Sequence, residues 1–224
     1  EFAYVQVAVL FTSCGGQRRL RIHNLCLPVS ADYGHLFRVT DQDALVTYLL
    51  KTAVTSLRGK TPKEVRRELS QRCARILVTY REKTGDTANL GQLLLPECLK
   101  LLPLYVNCIL RHEALSGGPE LTVDDRAWQM QLVESCRVDA ALELLYPRIF
   151  EMSSMSSAGT NADEFTVPTC VRASYENLQS DKAYLIENGL FIFLWVGSTV
   201  VQEWITDVFN APSFTALDSE SVRT

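Results

Sequence analysis

The sequence predicts a multidomain α+β protein in which β-strands come first, an all-helical region follows, and a smaller α/β region comes last. Three observations lead to this prediction. Alternating apolar residues flank Gly15-Gly16, apolar residues recur with helical spacing from Thr40 onward, and short β-like runs flank Asn188-Gly189. At 224 residues, and with about 150 residues in a typical domain, one larger and one smaller core are expected.

The first predicted element is a β-hairpin. Residues 3–11 are rich in β-branched and aromatic side chains, and residues 19–27 alternate between apolar and polar side chains. Gly15 and Gly16 provide the backbone freedom that a tight turn between two strands requires. An isolated two-stranded hairpin is marginally stable in water. We therefore expect the hairpin to belong to a larger sheet that this chain does not contain.

A helical region is predicted over residues 41–146. The first helix follows Thr40, with Leu45, Tyr48 and Leu49 on its expected apolar stripe. Thr61-Pro62-Lys63-Glu64 then combines an N-cap, proline at the first helical position and glutamate at the third, which is typical of a helix start.

Three more helical segments complete this region. Residues 90–115 are apolar nearly all round, which indicates a buried helical segment that is broken or kinked at Pro96 and Pro103. Thr122 and Asp125 have the spacing of a capping box and predict a further helix. A short last helix is predicted over residues 138–145.

The third region, residues 147–224, is predicted to mix strands and a helix. A polar, low-complexity loop over residues 153–161 leads into it. Asn188-Gly189 separates strand-like residues 182–187 from residues 190–196 and is a strong hairpin signal, and a helix is predicted over residues 200–209. Because LFIFLWV is apolar on both faces, we expect a central strand between helices.

Composition and charge exclude several classes of protein. Apolar residues make up 47% and charged residues 21% of the chain, so a disordered or coiled-coil protein is not expected. The two longest uncharged stretches, residues 2–17 and 188–202, are both shorter than the roughly 20 apolar residues of a membrane-spanning helix. The apolar start lacks a basic leader and predicts a strand rather than a signal peptide. Seven scattered cysteines without a C-x-x-C pair predict neither disulfides nor zinc.

A basic cluster is the strongest candidate for a binding surface. Between Arg58 and Lys83 there are nine basic residues and three acidic ones. One interpretation is a solvated helix face supported by i,i+4 ion pairs. The other is a membrane-facing patch attracted to anionic lipid headgroups, and the two remain equally favoured. Nucleic acid is less favoured, because stacking aromatic residues are absent. The candidate residues are Lys60, Lys63, Arg66 and Arg67.

No catalytic constellation is recognisable. The three histidines, His23, His35 and His112, lie outside any nucleophile or metal-ligand motif, and the chain has no glycine-rich phosphate loop. Cys98 lies among leucines and is interpreted as an inert core residue. No cofactor or metal site is therefore predicted within this chain, and it is not expected to be an enzyme.

Four long motifs, in order, resemble one family: the cargo-adaptor subunit of the COPII inner vesicle coat, in its C-terminal part. The motifs are TSCGGQRRLRIHNLCLPV (residues 12–29), GQLLLPECLKLLPLYVNCIL (91–110), DDRAWQMQLV (124–133) and YLIENGLFIFLWVG (184–197). The resemblance implies three parts: β-sandwich strands over residues 1–40, a helical domain over 41–146 and a gelsolin-like domain, apparently incomplete, over 147–224.

The resemblance also implies a function. The chain would belong to a structural and adaptor subunit that selects cargo for vesicle transport from the endoplasmic reticulum to the Golgi. Implied partners are cargo export signals, the sister GTPase-activating coat subunit, a small GTPase and the anionic membrane surface, with no nucleic acid. The protein would be cytoplasmic and peripheral on the endoplasmic reticulum, and a structural zinc would lie upstream. The GTPase-activating arginine of the sister subunit has no counterpart after Lys182 except Arg223.

Two alternatives remain open. A gelsolin-like module could bind actin or calcium, although calcium needs a cluster of oxygen ligands that the sequence does not display. An unrecognised enzyme is the second alternative. It would require a nucleophile, a base and an orienting group to converge from distant positions.

Overall fold

The computed structural model describes residues 1–84, 91–117, 121–153 and 168–217. Two compact units are present, Glu1–Gln42 with Arg72–Lys100, and Asp43–Gln71 with Leu101–Thr224. Most of the predicted loop over residues 153–161 lies outside the described residues.

The first unit contains the predicted hairpin. Strands β1 (Phe2–Thr12) and β2 (Arg18–Pro28) pair antiparallel. Ser13 accepts a hydrogen bond from the amide of Gly16, whose φ of 79° is a left-handed conformation that favours glycine. Apolar side chains are exposed along both strands, including Tyr4 and Leu20. The hairpin prediction is confirmed.

A short helix that the sequence analysis did not assign follows the hairpin. Asp32 caps helix α1 (Tyr33–Val39), and its Oδ1 accepts a hydrogen bond from the Gly34 amide. The thiol of Cys98 donates to the carbonyl of Phe37, at 2.7 Å, from a 3₁₀ turn (Glu97–Leu99). The Phe37 ring also packs edge-on against Tyr80, with ring centroids 5.0 Å apart. Cys98 is half-buried rather than fully buried in the core.

Two long helices follow the predicted starts. Helix α2 (Gln42–Ser56) buries Val46, Leu50 and Val54, whereas Tyr48 is exposed. The predicted stripe was therefore wrong at Tyr48, because several neighbouring positions are apolar and spacing alone does not choose the buried face. Helix α3 (Pro62–Thr84) follows, and Val65 and Leu69 are buried on it.

Four further helices lie in the second unit. Helices α4 (Leu102–Arg111), α5 (Glu113–Ser116), α6 (Val123–Ser135) and α7 (Val138–Leu145) follow in order. Pro103 lies in the first turn of α4, where its missing N–H breaks no helical hydrogen bond. The predicted break in residues 90–115 is confirmed, and the buried side chains on α4 are Leu102, Val106 and Ile109.

A four-stranded antiparallel sheet follows the helices. Strands β3 (Arg148–Glu151), β4 (Cys170–Val171), β5 (Ala183–Glu187) and β6 (Ile192–Val196) lie in the order β4-β3-β5-β6. Helix α8 (Gln202–Phe209) comes after β6. The predicted hairpin at Asn188-Gly189 is confirmed, and Gly189 has a φ of 81°.

The expected position of the last strand was wrong. Among the described strands β6 lies at an edge of the sheet and not at its centre, and Ile192 and Phe193 on it are 68% and 55% exposed. An apolar run on both faces shows that a strand has apolar side chains, but it does not identify the hydrogen-bonding partner on each side. Among the described strands, only β5 pairs with β6.

A close backbone approach fixes the other end of the β5–β6 hairpin. The amide of Gly197 donates to the Lys182 carbonyl at 2.9 Å, and the amide of Thr199 donates to the Ser180 carbonyl at 2.8 Å. A Cβ at position 197 would lie 2.1 Å from the Ser180 carbonyl oxygen. Only glycine leaves room for this approach.

Candidate functional site

The predicted basic patch lies at the start of α3. Thr61 Oγ1 accepts a hydrogen bond from the Glu64 amide, and the Glu64 carboxylate accepts from the Thr61 amide and hydroxyl. These bonds to Thr61 are the main reason why the pKa of Glu64 is lowered. The reciprocal cap fixes the first helical turn and therefore the direction in which the basic side chains leave it.

The structure distinguishes Lys60 from the other three basic residues of the patch. Lys60 Nζ lies 2.6 Å from Glu68 Oε1. Lys63, Arg66 and Arg67 are exposed and form no ion pair within the part of the chain that the structure describes, although Arg67 contributes to the lowered pKa of Glu64. The cationic surface thus centres on Lys63, Arg66 and Arg67, with Lys63 three and four residues before the two arginines on the helix.

A second candidate site is a cavity of about 450 Å³ in the second unit. Its polar wall consists of the carboxyl end of α4, the start of α5 and one side chain of α6. Its apolar wall consists of the end of α7 and the β5–β6 hairpin. The polar wall includes Arg111, His112, Glu113 and Gln129, and the apolar wall includes Leu144, Leu190, Phe191 and Phe193.

His112 joins α4 to α5. Its amide donates to the carbonyl of Ile109 at the end of α4, and its Nδ1 accepts a hydrogen bond from the Ala114 amide at 3.2 Å. Because Nδ1 is an acceptor, the hydrogen of the neutral ring lies on Nε2. Burial lowers the pKa of His112, so the imidazole is neutral near pH 7. These contacts give His112 a structural role at the corner between α4 and α5.

Gln129 is the most buried polar side chain of the cavity wall, with 8% of its surface exposed. Its Nε2 donates to Glu113 Oε2 at 2.9 Å. Its Oε1 is buried, and no donor among the described residues reaches it. The reversed amide orientation would face the Glu113 carboxylate with an oxygen, so the carboxylate fixes which atom of Gln129 is the amide oxygen. Leaving such an acceptor unpaired costs about 1–3 kcal/mol.

Charged side chains hold the hairpin that forms the apolar wall. Arg148 NH2 lies 2.6 Å from Glu187 Oε2 and 3.3 Å from Glu143 Oε1 on α7. Hydrogen bonding to Arg148 lowers the pKa of Glu187, and the same bond raises the pKa of Arg148. Glu187 also accepts the amide of Gly189 in the hairpin turn. This network attaches the β5–β6 turn to the end of α7.

The reactive side chains of the cavity are not arranged for nucleophilic catalysis. Burial raises the pKa of the Cys108 thiol, although Arg111 acts in the opposite direction. No hydrogen bond joins Cys108 to His112 among the described residues, and Nδ1 of His112 is already occupied. His23 on β2 and His35 on α1 are exposed. The geometry therefore favours binding over covalent chemistry at this site.

No group of three or more His, Cys, Asp or Glu side chains in the described part of the chain is placed to hold a metal ion. No helix there has the length and apolar character needed to cross a membrane.

Sequence reasoning did not identify the cavity. Its wall comes from residues 108–113, 129, 144–145 and 188–193, which are far apart in the chain. One signal was present: Gln129 interrupts the apolar side of α6, and a buried polar residue needs a partner. Arg111 was not singled out, because a basic residue in the last turn of a helix is ordinary.

Two family descriptions match the chain. The description "Sec23/Sec24 helical domain" matches residues 41–143, and "Gelsolin repeat" matches residues 164–224. The first match covers the helical region, and the second covers β4 to β6 and α8.

Curated relatives match nearly the whole chain. Protein transport protein Sec24C of Homo sapiens is 42% identical over 97% of this chain and 19% of the relative's length. Protein transport protein Sec24D of Homo sapiens is 35% identical over 97% of this chain and 21% of the relative. Protein transport protein SEC24 B of Arabidopsis thaliana is 31% identical, again over 97% of this chain and 19% of the relative. The chain spans about a fifth of the length of these relatives.

A solved structure matches the fold. The crystal structure of the human COPII-coat protein Sec24c aligns with a TM-score of 0.83 and 41% sequence identity, covering 96% of this chain and 28% of that one. The agreement extends over the hairpin, the helical region and the small sheet. On sequence and fold together, this chain belongs to the Sec24 family of protein transport proteins, over the part that carries the helical domain and the gelsolin repeat.

Proposed function

We propose that this chain is a structural and adaptor part of a COPII coat subunit that selects cargo for transport from the endoplasmic reticulum to the Golgi. The observation that carries the proposal is the structural alignment with the COPII-coat protein Sec24c over 96% of the chain. The relatives are themselves named as protein transport proteins.

The proposal includes specific partners. The subunit binds cargo export signals, the sister GTPase-activating subunit and a small GTPase, mainly through parts of the protein outside these 224 residues. It works on the cytosolic face of the endoplasmic reticulum and of vesicles. The resemblance of the motifs supports these partners, and it also supports a structural zinc upstream, with no cofactor in this chain. Neither an enzymatic step nor GTPase activation is assigned to this chain.

Membrane contact is proposed for the basic patch Lys60, Lys63, Arg66 and Arg67. The exposure of Lys63 and Arg66 supports it, whereas the Lys60–Glu68 pair reduces the charge available at Lys60. The division into residues 1–40, 41–146 and 147–224 is likewise a proposal.

A chimera tests the proposed function. The matching segment of human Sec24C is replaced by this chain, and cargo packaging into vesicles is measured in a reconstituted budding reaction. We expect the chimera to package cargo at a level close to that of unmodified Sec24C. A control carries this chain with Gly197→Ala, which should destabilise the segment and reduce cargo packaging. A chimera that folds and joins the coat but packages no cargo would contradict the proposal.

A further inference from the structure

We propose that Thr61 is a phosphorylation site for a proline-directed protein kinase, and that its phosphate weakens the attraction of the basic patch to anionic membranes. The threonine lies directly before α3, next to Lys60 and two residues before Lys63 of that patch. The effect on membranes rests on the proposed membrane contact, whereas the modification itself does not.

Accessibility and sequence are the first argument. Thr61 is exposed, and it lies between exposed residues 58–60, which form a turn, and Pro62, the first residue of α3. Among the eight prolines of the chain, only Pro62 follows a serine or threonine. Proline restricts the residue before it to extended backbone conformations, and protein kinases bind the residues around an acceptor hydroxyl as an extended segment. The Thr61-Pro62 step therefore matches the substrate of a proline-directed kinase.

A comparison with Thr122 is the second argument, because it separates the proposed site from an ordinary helix start. Thr122 is also exposed and caps α6 with the same reciprocal hydrogen bonds, in which Asp125 takes the place of Glu64. A valine and two aspartates follow Thr122 in the chain. Thr61 thus differs from Thr122 in its proline and its basic neighbours and not in its cap.

The charges around Thr61 are the third argument. Its hydroxyl donates to Glu64 Oε2 at 2.8 Å. Phosphorylation replaces that hydrogen with a group that carries about two negative charges at pH 7, so the Glu64 carboxylate is repelled and leaves the cap. The amides of the first helical turn and the neighbouring Lys60 and Lys63 stabilise a phosphate at this position.

One phosphate changes the charge of the whole patch. Lys60, Lys63, Arg66 and Arg67 carry one positive charge each, so the phosphate cancels about half of their total. The attraction of a surface to anionic lipid grows with each basic residue near the membrane. Phosphorylation of Thr61 therefore opposes the membrane contact that the unmodified patch favours.

The chemical step transfers the γ-phosphoryl group of ATP to the threonine. A bond forms between Thr61 Oγ1 and the γ-phosphorus, and the bond between that phosphorus and the oxygen that bridges it to the β-phosphorus breaks. ADP leaves with the electron pair of the broken bond, and the hydroxyl proton passes to a carboxylate of the kinase. The kinase supplies the catalytic groups, so this chain needs none of its own.

Mass spectrometry after kinase treatment tests the modification. The full-length polypeptide that contains this chain is incubated with ATP and a purified cyclin-dependent kinase, and the initial rate of phosphorylation is measured at Thr61 and Thr122. We expect the rate at Thr61 to be at least tenfold higher. Pro62→Ala keeps a good helix former at the first position of α3 and should lower the rate at Thr61 at least tenfold. Pro103→Ala changes the proline in the first turn of α4 and is the matched control, which should leave that rate unchanged.

Sedimentation with liposomes tests the effect on membranes. The wild type and Pro62→Ala are each treated with the kinase, with or without ATP, and mixed with liposomes of phosphatidylserine and phosphatidylcholine at low salt. Other sites of the full-length polypeptide are modified equally in both proteins, so the difference between them reports Thr61. We expect ATP to weaken binding of the wild type about tenfold more than binding of Pro62→Ala, and the difference to shrink at high salt.

Three results would overturn the inference. They are equal rates at Thr61 and Thr122, an unchanged rate at Thr61 in Pro62→Ala, and equal liposome binding of the two proteins after treatment with ATP. If the untreated wild type did not bind the liposomes, the proposed membrane contact and the effect of the phosphate on it would both be wrong, while the rate at Thr61 would still decide whether the residue is modified. Failure of the Sec24C chimera would leave these results intact, because neither assay contains cargo or other coat subunits.

Discussion

Single side chains determine where several helices of this chain begin and end. At Thr61 and Thr122, a hydroxyl oxygen and an acidic side chain satisfy backbone amides at a helix start. At His112, a ring nitrogen takes the same role between two helices. The stability of these corners therefore depends on individual acceptor atoms.

His112 should make stability depend on pH. Its pKa is lowered in the folded protein, so the unfolded chain binds the proton more readily. Its contribution to folding is fully present above the unfolded pKa near 6.5 and is lost as the pH falls below it. His112→Asn retains an acceptor for the Ala114 amide but cannot titrate, so we expect its free energy of unfolding to fall less than that of the wild type between pH 7 and pH 5 in urea denaturation.

The control for this experiment is His35→Asn, which changes an exposed histidine on α1. This variant should follow the pH dependence of the wild type. Identical pH profiles for His112→Asn and the wild type would show that the α4–α5 corner does not sense protonation.

Thr122 should contribute through its cap. The Asp125 amide donates to Thr122 Oγ1 at 3.1 Å, and Asp125 Oδ2 accepts from the Thr122 amide and hydroxyl. Thr122→Ala removes the hydroxyl and should lower the free energy of unfolding by about 1 kcal/mol. Thr122→Ser retains the hydroxyl and should remain close to the wild type in the same urea titration. Equal losses in both variants would assign the effect to the missing methyl group.

At the scale of elements, Gly197 should be the least replaceable glycine of the sheet. A methyl group there would meet the Ser180 carbonyl at 2.1 Å and the Lys182 carbonyl at 2.8 Å, both of which are backbone atoms. Gly197→Ala should therefore displace the end of β6 and lower the free energy of unfolding by about 3 kcal/mol or more.

Gly59 provides the control, because a Cβ at that position meets nothing within 4 Å and its φ is not positive. Gly59→Ala should change the free energy of unfolding by less than about 1 kcal/mol. If thermal unfolding gave similar losses for both glycines, steric overlap at Gly197 would not be the cause.

The sequence predicted most of the elements because their signals are local. Thr61, Thr122 and Asn188-Gly189 each specify a helix start or a turn through neighbouring residues, and the helices and the hairpin formed there. Helix α1 was not assigned because a helix of seven residues is too short to show a clear period, although Asp32 is an ordinary N-cap. The edge position of β6 depends on strand pairing, which its own residues do not encode.

The candidate cavity was harder to predict from the sequence than the fold. Arg111, Gln129 and Phe193 come together only through the packing of α4, α6 and the hairpin. The basic patch could be recognised in the sequence because its residues lie close together in the chain. The ion pair between Lys60 and Glu68 could not be predicted, because it depends on how the turn before α3 folds back.

At the scale of the whole molecule, the proposed membrane contact depends on exposed cationic side chains of the basic patch, among them Lys63 and Arg66, which form no ion pair among the described residues. Lys63→Glu combined with Arg66→Glu should weaken binding of the full-length protein to liposomes rich in anionic lipid about tenfold or more at low salt, given roughly 1 kcal/mol per basic residue. The difference should shrink at high salt, because screening shortens the range of the attraction. Sedimentation with liposomes measures it.

Arg137→Glu is the matched control, since Arg137 is 85% exposed and lies on a different helix end. It should bind liposomes as the wild type does. If the double variant bound as tightly as the wild type at every salt concentration, the patch would be a solvated helix face, which is the other interpretation of its sequence.

The close approach at Gly197 also has a consequence for the order of folding. The β5–β6 hairpin is closed at one end by the Asn188-Gly189 turn and at the other by the contacts of Gly197 and Thr199 with residues 180–182. All of these contacts join residues near one another in the chain, so closing this loop costs little entropy. Pairing of β5 with β3 must close a much longer loop. The hairpin is therefore expected to act as the nucleus to which β3 is added, and substitutions at the Gly197 end should slow folding rather than only hasten unfolding.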